Sequence, residues 1–385
     1  MGCTLSGSTR GSIELKHSVL GLLTNALLTL WPSDSWKRIM PEDIIRPLLW
    51  AAVRRTSVHR VFPASPGTPS DRSVRGYVSL LRWKPLVDAI PGLMMDSIRG
   101  ILRPGRYKFA VDLTYLPYHG SPKRTDLEVV RSKAKSGTTH FHAYASLYVI
   151  KENKRFTLDI LPVLKGTSLV EVLETLLTRL YARDYKVKLL FLDKGFFISP
   201  VLQFLLDTGI PSVMPVVARG RSGGVRPHLR GRRSHRTTYT MRSTKYQMEV
   251  TFPLYVVCKY SGSRYGGKRG SRMFGYAVLN THIRLDRVFE EYRKRFGIES
   301  SYKLMNMVRA RTSSQDPAFR LLLVMVALLV VNYWVASQWR HVSEPRRGGR
   351  KVHHEELRLE TLRRLLDSAL EWIYPLRTFY LGEAS

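Results

Sequence analysis

The segment from Arg106 to Gly120 most constrains what this chain can fold into. Its apolar core, Phe109-Ala110-Val111, leads directly into one carboxylate, Asp112, and Pro117 and Gly120 then stop the run. A short β-branched and aromatic run bounded by turn residues reads as a buried strand. Burying even an uncharged polar group without a partner costs roughly 2–7 kcal/mol, and a charge costs more. Asp112 therefore needs a metal, an arginine or a hydrogen-bond donor, unless it is simply a capped turn aspartate.

The residues that follow supply a sheet around it. Ser121–Gly137 reads as a polar linker carrying Lys123, Arg124, Arg131, Lys133 and Lys135. Strict alternation from His140 to Val149 then predicts a half-buried strand. Phe141, Ala143, Ala145, Leu147 and Val149 face one way, with His140, His142, Tyr144, Ser146 and Tyr148 opposite. A turn at 151–154 leads to a third strand over Arg155–Val163, and Ser168 caps an amphipathic helix over Leu169–Tyr181. A fourth strand, Lys188–Leu192, ends at Asp193, and a helix over Pro200–Leu206 precedes a fifth strand over Pro211–Val217. Three antiparallel strands, helix, strand, helix, strand is the order of the ribonuclease H-like fold. In that α/β fold the first and fourth strands lie side by side, so Asp112 and Asp193 are expected at adjacent strand ends.

This core, residues 106–217, is flanked on both sides. Residues 1–105 read as a helical domain. Within it, Ser70 opens a helix carrying Arg72 and Arg75, either a DNA-reading helix-turn-helix or a helical cap with solvated arginines. Residues 218–283 read as a basic β-rich insertion. It begins with a stretch, Arg219–Arg236, holding seven arginines, four glycines and no acid. Gly262–Arg269 imitates a phosphate-binding loop but ends in Arg269 rather than Ser or Thr, and is rejected as a nucleotide site. Residues 284–339 return to the core with a helix bearing Tyr292, Arg295, Glu299 and Lys303 on one face. The apolar run Ala318–Trp339 is long enough to cross a bilayer, but Arg320 and Asn332 interrupt it, so a buried helix of the α/β domain is expected. Residues 340–385 form a basic tail and an amphipathic helix.

Charge narrows the partners. The 385-residue chain carries 62 Lys+Arg against 30 Asp+Glu, a formal net charge of +32. Such a surplus calls for a polyanion, most simply nucleic acid, with an anionic membrane as the rival. Met1–Ser6 fits an N-myristoylation pattern and belongs to that rival reading. Two cysteines, Cys3 and Cys258, form no disulfide framework and no paired-cysteine metal motif, consistent with a cytoplasmic, nucleoid-associated protein.

Three carboxylates stand out: Asp112, Asp193 and Glu299. Gathered together they would repel without cations, and hard oxygen-ligand metals complete such a cluster. His140 and His142 share a strand face and have three readings: ligands, DNA-facing groups or packing residues.

Four stretches in this order resemble the DDE transposases of bacterial and archaeal insertion sequences: Asp112–Gly120, Gly137–Tyr144, Leu192–Phe197 and Tyr292-x-x-Arg295-x-x-x-Glu299. The branch is the one similar to insertion sequence four, named for a Tyr-Arg-Glu-Lys signature. The resemblance spans roughly residues 70–335. It implies metal-dependent phosphodiester hydrolysis and strand transfer at transposon ends, with two Mg²⁺ or Mn²⁺ ions and no small-molecule cofactor. Asp112 would bridge both ions, and Asp193 and Glu299 would hold one each. Tyr292 and Arg295 would touch double-stranded DNA, the terminal inverted repeats or the target, with a homodimer in the synaptic complex. The signature lysine is replaced by Asn306; Lys303, one turn earlier, Arg309 and Arg311 are the cations available for the same DNA contact. The alternatives are a domesticated DNA-binding relative that no longer cuts, and a basic membrane-associated protein.

Overall fold

The computed structural model of the chain describes residues 6–31, 39–61, 69–123, 126–151, 154–218, 223–261, 270–295, 297–347 and 349–374. The chain divides into two compact units. One joins Met1–Arg103 to Ser301–Ser385, and the other is Pro104–Ser300. The C-terminal residues, expected as the end of the core plus a separate tail, thus belong with the N-terminal helices.

The first unit opens with α1 (Ser6–Leu28), α2 (Pro41–Arg54), α3 (Val58–Val61), α4 (Asp71–Val78) and α5 (Trp83–Ser97). Ser70 caps α4 as its sequence implies, its hydroxyl accepting from the Ser73 N–H at 3.1 Å. The Trp31 indole donates to the Tyr77 carbonyl at 3.0 Å, tying the end of α1 to α4.

The second unit is built on one large mixed sheet. Its strands are β1 (Arg106–Pro117), β2 (Val130–Lys135), β3 (Thr138–Lys151), β4 (Lys154–Val163), β5 (Lys186–Leu192), β6 (Ser212–Pro215), β7 (His235–Ser243), β8 (Met248–Ser261) and β9 (Gly270–Leu279). The order runs β2-β3-β1-β5-β6-β9-β8-β7, with β4 also paired to β3. Antiparallel β4-β3-β1 joined to parallel β1-β5-β6 is the ribonuclease H-like arrangement. Helix α6 (Leu169–Tyr181) is fixed by a capping box between Ser168 and Glu171, and α7 (Ser199–Asp207) follows β5.

Three expectations change here. The segment read as a linker contains β2, an edge strand pairing with β3. Its side chains are exposed, so no buried face marked it in the sequence. Ser136 (φ 52°) and Gly137 (φ 77°) both adopt left-handed backbone and turn β2 into β3. Strand β3 is buried on both faces from Phe141 to Ile150 rather than on alternate residues. The β-rich insertion is no separate module: β9 pairs with β6, and β8 and β7 carry the same sheet onward. The imitation phosphate loop at 262–269 lies outside the described residues.

The sheet leads into α8 (Val288–Arg293) and α9 (Gly297–Met307). A single helix was expected over 285–308. Instead the chain breaks between Arg293 and Gly297, where glycine is a poor helix former.

The first unit then resumes with α10 (Pro317–His341), a hairpin of β10 (Ser343–Arg346) and β11 (Gly349–Val352), and α11 (Leu359–Ile373). By length and composition α10 could span a membrane, yet 83% of its most apolar window is buried. It packs against α5, α2, α1 and α11, so it is the core of the helical unit and not of the α/β sheet. Its polar residues are satisfied locally: the Asn332 amide donates to Ser97 Oγ at 3.0 Å, and Arg320 Nε to the Ser314 carbonyl at 2.6 Å.

Candidate active site

Parallel pairing of β1 with β5 puts Val111 opposite Leu192, so the next residue of each strand is an aspartate at the same edge of the sheet. Asp112 is still within β1, opposite Ser146 of β3, and is 8% exposed. Asp193 leaves β5 and starts a short 3-10 turn, Lys194–Phe196, which the buried Phe196 and Phe197 hold down.

The two carboxylates meet on one guanidinium. The Nη2 of Arg295 lies 3.0 Å from Asp112 Oδ1 and 3.3 Å from Asp193 Oδ1. Asp112 Oδ1 also accepts the Leu113 N–H at 2.9 Å. The Arg295 side chain is 4% exposed, so this pairing is a buried one. Arg295 Nη1 donates to the Tyr292 hydroxyl at 3.3 Å, and that hydroxyl donates to the Leu192 carbonyl at 3.0 Å. Tyr292 itself is 3% exposed and packs against Phe191 and Tyr276.

The turn after α8 is held from several sides. Glu291 pairs with Lys108 of β1 and, at 2.6 Å, with Lys294. The Arg155 guanidinium donates to the Lys294 carbonyl at 2.7 Å from its Nη2. Nothing in the local pattern of Lys108, Arg155 or Glu291 marks them as supports of the site; only the sheet topology brings them there.

The electrostatics follow from burial. Desolvation pushes the Asp112 carboxyl up to about 6, and the charge of Asp193 adds to that against the pull of Arg295. Burial disfavours the Arg295 charge too, but Tyr292, Asp112 and Asp193 outweigh it and hold the guanidinium firmly cationic. Burial also raises the Tyr292 phenol, so it stays neutral and acts as a hydrogen-bond strut. Carboxylate oxygens converging on a single cation suit a hard divalent ion as well as an arginine.

Glu299 lies on α9, four residues beyond Arg295; its side chain is outside the described residues. Lys303 is exposed on the same helix. Tyr292, Arg295 and His142, expected in part at DNA, are buried, with His142 3% exposed against the Tyr118 ring. His140 is half-buried and accepts from Arg131 Nε at 3.3 Å.

The remaining basic residues lie in the helical unit. Arg72 and Arg75 are exposed, and Arg75 pairs with Asp71 one turn earlier on α4. Arg309 donates to Asn306 Oδ1 at 3.3 Å. Arg311 is exposed and lines a cavity of about 730 Å³ with Arg54, Arg55, Arg60 and Arg363, and no carboxylate lines it among the described residues. Arg54 and Arg363 are paired with acids of α11. Arg55 and Arg60 were not singled out in the sequence, because the cavity depends on residues 55–57 meeting residues 311–313. That meeting is a parallel bridge of Ser57 with Arg311.

Comparison with solved structures finds the cryo-EM structure of a piggyBac transposase synaptic complex with hairpin DNA, at TM-score 0.53 and 14% identity. The match covers 93% of this chain and 79% of that one, and it is a likeness of fold. No curated protein matches. Residues 103–333, which include both aspartates, Tyr292, Arg295 and Glu299, match the transposase DDE domain. The match extends over more than half of the sequence, and the chain belongs to the DDE transposase family.

Proposed function

We propose that this chain is a DNA transposase that cuts and joins phosphodiesters at transposon ends through Asp112, Asp193 and Glu299. The observation that carries the reading is the meeting of Asp112 and Asp193, from neighbouring parallel strands, on a single buried cation. The donor set is oxygen only, as Mg²⁺ or Mn²⁺ requires. Two such ions would supply Lewis-acid polarisation of the phosphate and activation of the attacking water or 3′-hydroxyl. Asp112 and Asp193 would hold them together with Glu299. Tyr292 fixes the height of the β5 end through the Leu192 carbonyl, so the carboxylate spacing is set by the sheet rather than by a loop. Burial around Asp112 keeps bulk water from screening charge that develops there.

Double-stranded DNA is the partner that fits the charge of +32. Terminal repeat and target DNA would contact Lys303, Arg309, Arg311, Arg72 and Arg75. Arg55 and Arg60, with Arg311, would add a phosphate-binding cavity lined by no carboxylate among the described residues. Synapsis of two ends calls for a homodimer on DNA.

The test is cleavage of labelled DNA carrying the element's ends, with Mg²⁺ or Mn²⁺, comparing the native chain with Asp112→Asn and Glu299→Gln. Specific nicking that is lost in both variants and without metal is expected. Equal nicking by all three would sink the reading, and binding without nicking by the native chain would leave a DNA-binding relic. Substituting Arg55, Arg60 and Arg311 together by Ala should lower the salt slope of DNA binding by roughly three.

A further inference from the structure

We propose that Arg295 is the resident cation of the acidic site: it holds Asp112 and Asp193 together, must leave them for a divalent ion to bind, and so sets the metal affinity. The inference rests on the proposed role of the two aspartates as metal ligands.

The geometry of the pairing carries it. Both carboxylates are served by one nitrogen, Nη2, at 3.0 and 3.3 Å. A guanidinium at its strongest grips one carboxylate with two parallel N–H donors. Here it bridges two carboxylates through a single atom. Its Nε is buried and has no hydrogen-bond partner among the described residues. Its Nη1 reaches the Tyr292 hydroxyl only at 3.3 Å. An arginine fully committed to structure would use more of its five donors. Arg295 instead takes the position that a cation between two oxygens takes, while making few other bonds among the described residues.

Oxygen lone pairs given to Nη2 are not available to a metal, so the two cations compete. Arginine does not shed its proton to resolve the conflict. The side chain has to move by turning about its own bonds, because the turn that carries it is held by Glu291 and Arg155. Arg295 follows the last residue of α8, Arg293, and precedes the first of α9, Gly297. Tyr292, one turn earlier, is the fixed element, with its hydroxyl on the Leu192 carbonyl and its ring among aromatic residues. The division of labour is therefore specific: Tyr292 fixes the strand end, and Arg295 neutralises the carboxylates until the ion arrives.

The competition has a signature that a supporting role lacks. If Arg295 only braced the site, removing it would loosen the aspartates and weaken metal binding. If it competes, removing it destabilises the metal-free protein and strengthens metal binding. The test is Mn²⁺ binding to the DNA-free full chain, followed by titration calorimetry and by the electron paramagnetic resonance of free Mn²⁺. Native protein, Arg295→Gln and Arg295→Lys are compared, with melting temperature recorded with and without Mn²⁺.

Arg295→Gln is expected to bind Mn²⁺ about tenfold tighter or more, which corresponds to loss of one competing charged contact. It should melt lower without metal and recover with it. Arg295→Lys keeps the charge on a different stem, should fall between the two in both measurements, and serves if the Gln variant does not fold. Equal or weaker Mn²⁺ binding by Arg295→Gln overturns the proposal while leaving the aspartates as ligands. Failure of native protein and variants alike to bind Mn²⁺ overturns both the proposal and the metal reading beneath it. Asp112→Asn, which should abolish the Mn²⁺ signal, identifies the site being titrated.

Discussion

Two buried aspartates of the same sheet make an instructive pair. Asp112 on β1 and Asp159 on β4 are both pushed by burial up to about 6, and each has an arginine beside it. Asp159 is opposed by Arg179 of α6 at 3.5 Å and accepts the Ile160 N–H at 2.7 Å, with its side chain 3% exposed. The Asp112 side chain is 11% exposed, and its arginine is shared with a second carboxylate, Asp193, whose side chain is 34% exposed. Burial, a raised titration point and an arginine partner are thus common to a structural carboxylate and a candidate catalytic one. What separates them is a second oxygen donor, reachable from solvent, on the same cation.

That contrast can be broken most sharply by activity. Asp112→Asn should lower metal-dependent end cleavage by more than about a hundredfold, the upper range seen when only the outer support of a metal site is lost. Asp159→Asn should leave it within about twofold in the same gel assay. A large loss in the second variant would mean that burial alone was the better guide.

The next test separates the partners. Arg179→Met strands a buried carboxylate and should cost on the order of 3 kcal/mol in denaturant unfolding, without changing Mn²⁺ affinity. Arg295→Gln should also destabilise the metal-free protein, yet change that affinity.

Acid should sharpen the likeness. The Asp159 carboxyl keeps its proton up to about pH 6 when folded and loses it near 3.8 when exposed. With its pKa raised on folding, Asp159 binds more protons in the folded state between those values, so its contribution to stability is greatest below about 4 and is lost as pH rises through 6. The size is about 2–3 kcal/mol for a shift of this extent. Asp159→Asn should remove its share of the slope, and Asp112 contributes with the same sign in metal-free protein. A pH slope left unchanged by Asp159→Asn would contradict the assignment.

The smallest effect is expected from Tyr292→Phe. It deletes the hydroxyl between the Leu192 carbonyl and Arg295, at about 1 kcal/mol in the same unfolding measurement. A loss several times larger would show that the strut, rather than the arginine, holds the carboxylates together.

Much of this architecture was legible in the sequence because it is written locally. The apolar run into Asp112, the run Lys188–Leu192 into Asp193 and the Ser168 cap all appear where short-range chemistry puts them. Features set by distant partners were not legible. Strand β2 has only exposed or half-exposed side chains, so no periodic apolar face announces it. The merger of β7–β9 into the main sheet depends on the pairing of Ser212 with Leu279, which leaves no trace in either segment. The apolar surface of α10 declares burial but not its neighbours, which prove to be other helices. Asp159 sits in a correctly expected strand, yet nothing beside it reveals Arg179. The face shared by Tyr292 and Arg295 was read as continuing to Glu299, but the break before Gly297 interrupts that helix.

The parallel pairing of β1 with β5 also bears on biosynthesis. The aspartates it joins are far apart in the chain, with three strands and a helix between them, and such pairings form slowly because a long loop must close first. Arg295 emerges from the ribosome later still. A nascent chain that has made β5 but not α8 has both aspartates but neither Arg295 nor Glu299. The set of three proposed ligands is thus complete only when nearly all of residues 104–300 have been synthesised, so a shorter translation product lacks the full centre.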